Sequence, residues 1–122
     1  MSLSAYEQTL LTGWEDVFKK GNLTFWIMLA LKDSPKHMAE IKSFITDTTG
    51  GTISADDQSM YRALRRFNDA QLVTYVTAPS ESGPDLKIYK ISHIGRNILQ
   101  LFIERNIIGP YFNERMIQLL NN

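Results

Sequence analysis

Glycine and proline divide this chain into helix-length pieces, and a single stretch breaks the helical pattern. That punctuation constrains the fold more than anything else in the sequence. The first piece, from Ser4 to Lys20, carries Tyr6, Leu10, Leu11, Trp14, Val17 and Phe18 at helical spacing and stops at Gly21; a break at Gly13 stays open. The second, from Asn22 to Leu31, leaves no polar face over Phe25 to Leu31, so it reads as a buried helix, with strand as the competing reading. Ser34-Pro35 reads as the next helix start, Ser as N-cap and Pro at the first position, and Gly50-Gly51 as its end. Either Ser54 or Asp56 caps a fourth helix running to about Ala70. Leu72 to Ala78 and Leu86 to Ile91 are rich in β-formers around a Pro/Ser/Gly cluster, the pattern of a hairpin. Ser92 then caps a helix with the stripe Ile94, Ile98, Leu101 and Phe102; Gly109-Pro110 is expected to break it before a last helix carrying Tyr111, Phe112, Met116, Ile117, Leu119 and Leu120.

The expected architecture is mainly α with a small β-hairpin. Three helices followed by a hairpin is the order of a winged helix-turn-helix, here with an extra N-terminal helix and C-terminal helices. We divide the chain into an N-terminal helix (1–20), a winged unit (21–92) and a C-terminal helical segment (93–122), all within one folded domain. A chain of 122 residues is long enough to bury one core without staples.

Within the fourth helix, at about 100° per residue, Met60, Leu64 and Phe67 cluster on one side and Gln58, Arg62, Arg65, Arg66 and Asp69 on the other. As bare pattern the arginine side reads as a solvated face, with Arg65 pairing to Asp69. In a helix-turn-helix the same face enters the major groove, where Arg reads guanine or neutralises phosphate.

From about Trp14 to Arg96 the residues resemble the PadR family of transcriptional regulators. Lys20-Gly21-Asn22-Leu23 is similar to the family's Gly-Thr-Leu opening, and Ser34-Pro35, His37 and Glu40-Ile41 to its Gly-Pro, His-Gly, Glu-Ile stretch. Met60-Tyr61-Arg62-Ala63-Leu64-Arg65-Arg66-Phe67 resembles Leu-Tyr-x-Ala-Leu-x-Arg-Leu, its most specific segment. Gly83, Lys87-Ile88-Tyr89-Lys90-Ile91-Ser92 and Gly95-Arg96 look like its wing and the start of the next helix. Two departures stand out. Gln71 occupies the place of a glycine before the first wing strand, and Pro84-Asp85-Leu86 the place of basic wing residues.

The resemblance implies a winged-helix DNA-binding homodimer, a repressor on a palindromic operator, held together by its C-terminal helices. In some branches small aromatic or hydrophobic compounds relieve the repression. The residues expected at duplex DNA are Lys36, Gln58, Ser59, Tyr61, Arg62, Arg65, Arg66 and Lys87; Tyr61 reads equally as packing beside Leu64, and Asp56 and Asp57 as caps. Trp14, Phe18, Trp26, Phe102, Tyr111 and Phe112 lie on the flanking helices. They read as core and dimer packing, or as an aromatic cavity for a flat apolar effector.

Charge sharpens the expectation. Lys+Arg and Asp+Glu both number 13. From Ser34 to Ser92 there are seven of each sign, so the winged unit is itself neutral. DNA binding must therefore come from segregated charge, and an interaction module with the same fold and little DNA affinity is the alternative. The absence of cysteine excludes disulfides, thiolate metal sites and a cysteine nucleophile. His37 and His93 are isolated, no catalytic constellation is visible, and neither an enzyme nor a cofactor is expected. No segment reads as a signal peptide or a bilayer span, so a cytoplasmic protein without membrane contact is expected.

Overall fold

The computed structural model describes residues 2–121. The elements follow in the order α1 (Ala5–Lys19), α2 (Asn22–Asp33), α3 (Met38–Thr49), α4 (Asp57–Asp69), β1 (Val73–Ala78), β2 (Leu86–Ile91) and α5 (His93–Ile103). A π-helical turn (Glu104–Ile108), a short α6 (Gly109–Tyr111) and α7 (Glu114–Leu120) complete the described residues. This is the winged helix-turn-helix order. None of these helices is long and apolar enough to cross a membrane.

The core gathers one face from each element of the winged unit. Ile27, Leu31, Ile41, Ile45, Met60, Leu64 and Val73 are fully buried, with Phe67, Tyr89, Ile91 and Leu99 closing around them. Helix α2 is the central one, as its all-apolar run requires. Strands β1 and β2 pair antiparallel, Tyr75 opposite Tyr89 and Thr77 opposite Lys87.

Three local expectations are corrected. Ser34-Pro35 does not start α3. Ser34 is extended, as a residue before proline prefers, and it ends α2. Lys36 then forms a β-bridge with Tyr89: its N–H donates to the Tyr89 carbonyl at 3.0 Å, and its carbonyl accepts from the Tyr89 N–H at 2.9 Å. Only after this third extended segment does α3 begin, with His37 at its N-cap and the Glu40 carboxylate accepting from the His37 N–H. Second, Gly109-Pro110 does not break the C-terminal helix. Pro110 has no N–H to offer, and the π-turn absorbs the defect by letting the Gly109 N–H reach back to the Glu104 carbonyl. The break falls at Phe112, and Asn113 caps α7. Third, the opening left at Gly13 is not used, since α1 runs unbroken through it.

The junction between α4 and the wing is the tightest point of the fold. Gln71 sits at φ 64°, the sole non-glycine residue with positive φ among those described. A side chain in that conformation costs energy that glycine avoids. We expect Gln71→Gly to raise the unfolding free energy by about 1 kcal/mol, read from the urea midpoint. Just beyond it, the Ser92 hydroxyl lies 2.6 Å from the Gln71 carbonyl and accepts from the Gly95 N–H at 2.9 Å, tying the wing's entry to the first turn of α5.

Candidate nucleic-acid interface

Helix α4 is shaped by a sharp division of its faces. Met60, Ala63, Leu64 and Phe67 face the core, while Gln58, Tyr61, Arg62, Arg65 and Arg66 are exposed. The expected pairing of Arg65 with Asp69 is not formed. Ion pairs among the described residues join Lys36 to Asp33, His37 to Glu40 and Lys42 to Asp57, so no carboxylate pairs with the three arginines.

Both acidic residues at the start of α4 are engaged. Asp56 is the N-cap, accepting from the Ser59 N–H at 2.7 Å. That hydrogen bond, chiefly, holds its carboxyl below the usual range, with the Arg62 charge adding to it. Asp57 is taken up by Lys42 of α3. Their negative charge is therefore partly spent inside the protein. Ser59, half-buried beside its cap, is less available than its neighbours.

The wing meets this helix across a cleft of about 310 Å³ lined by Tyr61, Lys87, Asp85 and Tyr89 together with His37 to Ala39. The Lys87 ammonium lies 4.7 Å above the Tyr75 ring, and Tyr75 packs 5.6 Å from Tyr89. Burial pushes the Tyr89 phenol up, with Tyr75 and Tyr61 adding to the effect and Arg65 opposing it. Helix α4 and the wing thus open onto one cleft. Tyr75 is a member of this face that motif reasoning misses, although the two-residue alternation of the hairpin places it on the side of Lys87.

Lys36 is the clear correction among the expected DNA contacts. It is buried, and its ammonium reaches the Ala30 carbonyl and the Asp33 carboxylate, each at 2.8 Å. It caps the C-terminus of α2 and is not presented to DNA.

The aromatic residues divide likewise. Phe18, Trp26, Phe102 and Tyr111 line one open chamber of about 440 Å³, joined by Phe25, Thr49, Thr52 and Ile53. Trp14 and Phe112 do not line it; they are 76% and 67% exposed on the outer faces of the terminal segments. Their periodicity marks a stripe but not what the stripe meets.

A sequence model of the transcriptional regulator PadR-like family matches residues 27–101. The chain belongs to this family. Solved structures agree with that PadR-like assignment. A PadR-like transcription factor from Bacteroides fragilis is 24% identical, with 75% of this chain and 86% of that chain covered and a TM-score of 0.63. A PadR-like regulator from Bacillus cereus is 23% identical, covering 85% and 96%, with a TM-score of 0.64. PadR of Bacillus subtilis, solved in complex with operator DNA, is 21% identical at a TM-score of 0.63, covering 81% of this chain and 57% of that one. At these identities the likeness shows the fold. No curated protein sequence matches the chain. As a PadR-like protein the chain is a transcriptional regulator, and its α4 stands where a winged helix-turn-helix carries its recognition helix.

Proposed function

We propose that this PadR-like protein is a cytoplasmic, homodimeric transcriptional repressor that binds a palindromic operator and is released by a small aromatic compound. The observation that carries the DNA reading is the exposed Arg62/Arg65/Arg66 face of α4, free of ion pairs among the described residues, on a helix whose Tyr61 shares a cleft with Lys87 of the wing. Each subunit would place α4 in one major groove, with Gln58 and Tyr61 near base edges and Lys87 on the flanking backbone.

The dimer reading is supported by what one chain leaves uncovered. Helix α1 buries none of its residues, and Leu10, Leu11, Trp14 and Val17 are exposed along it. Ile98 and Leu101 of α5 and Leu119 and Leu120 of α7 are exposed too. Apolar faces of this extent are costly in water and suit a two-fold partner. On this reading residues 1–20 pack on the dimer, 21–92 bind DNA and 93–122 dimerise.

If each protomer brings the three arginines and Lys87, a dimer neutralises about eight phosphates, and the log–log slope of affinity against salt is expected near −7. Fluorescence anisotropy with genomic duplex fragments checks this. The absence of binding at low salt, with and without aromatic compounds, would overturn the repressor reading. It would favour an interaction module instead, a reading supported by Asp85, which faces the same cleft as Lys87.

A further inference from the structure

We propose that Tyr75 is a positioning residue of the wing: its ring holds the Lys87 ammonium away from Asp85, so that the one cation on that side of the hairpin stays open to a phosphate. The consequence at DNA rests on the regulator reading above; the placement of Lys87 does not.

The wing has few cations to spend. From Val73 to Ile91 the basic residues are Lys87 and Lys90, against Glu81 and Asp85. Side chains alternate between the two faces of a strand, so Lys90 stands on the other side from Lys87. Lys90 is paired across the hairpin with Thr74, whereas Lys87 shares its side with Tyr89 and with Tyr75 opposite it. Asp85 is on the Lys87 side too, since both line the cleft beside Tyr61. A carboxylate two residues away on one face of an exposed hairpin is within reach of a lysine side chain. An ion pair between them would spend the wing's cation inside the protein.

No such pair forms. The ion pairs among the described residues include neither Lys87 nor Asp85, and the Lys87 ammonium lies 4.7 Å from the centre of the Tyr75 ring. The register explains this choice. Thr77 stands directly opposite Lys87, and Tyr75 stands diagonally, at a separation that a long side chain spans. The ring is a fixed platform. It packs 5.6 Å from Tyr89, which is buried and whose backbone N–H and carbonyl are both bonded to Lys36. The platform is thus tied to the core and not to the tip of the hairpin.

The two partners differ in what they leave free. A carboxylate cancels the ammonium charge and takes up its donors. An aromatic face attracts the charge without cancelling it, and leaves N–H donors able to reach an oxyanion. It also restricts a side chain that would otherwise lose its rotamer freedom only on binding, which favours the bound state.

The experiment is a double-mutant cycle on the full chain, read with and without DNA. In the free protein, the Lys87 ε-methylene protons should lie upfield of those of an exposed lysine, displaced by the Tyr75 ring current. Tyr75→Ile, which keeps a strand-forming side chain, should abolish that displacement, and Tyr75→Phe should restore it. On a duplex selected from a random pool, Tyr75→Ile should bind about tenfold more weakly, a few-fold for each of two wings, and the salt slope should flatten from about −7 to about −5. Tyr75→Phe should regain that loss, and Asp85→Asn in the Tyr75→Ile background should regain most of it. In a Lys87→Ala background, Tyr75→Ile should have no further effect. A loss that persists without Lys87, or that Tyr75→Phe shares, would mean that Tyr75 meets DNA or shapes the wing itself, and would overturn the positioning role. If Asp85→Asn restores nothing, the competition with Asp85 is wrong. Absence of the ring-current displacement sinks the geometry. That last measurement needs no DNA, so a displacement present in a protein that binds no DNA counts against the regulator reading alone.

Discussion

The double substitution Arg62→Ala with Arg66→Ala is expected to lower operator affinity about a hundredfold or more while leaving the fold and the assembly state intact, taking about 1–3 kcal/mol for each well-placed arginine contact. Both side chains are exposed on α4, and no carboxylate among the described residues pairs with either. Within the protein, Arg66 packs its guanidinium 5.7 Å from the centre of the Phe67 ring, an exposed contact whose loss costs about 0.5–1 kcal/mol of stability. The winged unit is neutral, so no diffuse positive field remains to compensate for the missing arginines. Anisotropy titration on a duplex selected from a random pool measures the affinity, and sedimentation velocity the assembly. Equal affinity in the variant would show that DNA meets a different face.

Gly95→Ala should be the most damaging single methyl addition in the chain. Gly95 is buried, and a Cβ there would sit 2.2 Å from the Leu72 carbonyl oxygen and 2.9 Å from the Ile91 side chain. The carbonyl cannot yield easily. It accepts from the Ser92 N–H at 3.0 Å and lies 3.0 Å from the Ser92 hydroxyl, where the wing's entry is tied to the N-cap of α5. Overpacking against backbone of this kind is expected to cost about 3 kcal/mol or more, seen as a lower urea midpoint. The wing would shift with it, so Lys87 would lose its place beside Tyr61 and DNA affinity would fall as well. A stability within a few tenths of a kcal/mol of wild type would mean that this junction is looser than its hydrogen bonds imply.

The division of α4 into an apolar and an arginine-bearing face is legible in the amino-acid sequence alone, because both faces follow from a local period and a local cap. The hairpin is legible for the same reason, its β-branched residues marking both strands. Lys36 is not. Its charge suggests a solvent-facing contact, but the bridge to Tyr89 turns it inward, and its ammonium then reaches the Ala30 carbonyl and the Asp33 carboxylate at the end of α2. Gln71 is an unfavourable residue for a left-handed turn, and the chain adopts that turn regardless. Closure of the wing onto α5, through Ser92 and Gly95, outweighs a local cost of about 1 kcal/mol.

The sequence by itself determined the order of the helices, the hairpin and the family, since periodicity and turn chemistry act between residues a few positions apart, but not the start of α3 or the end of the C-terminal helical run. Only the tertiary structure decided which side chains are spent internally and which remain for a partner. It turned Lys36 inward, carried the helix through Pro110 on a π-turn, and brought Phe18 from one end of the chain to the same chamber as Phe102 and Tyr111 from the other. Those outcomes depend on contacts between residues far apart in sequence, and no local pattern encodes what a side chain will meet there.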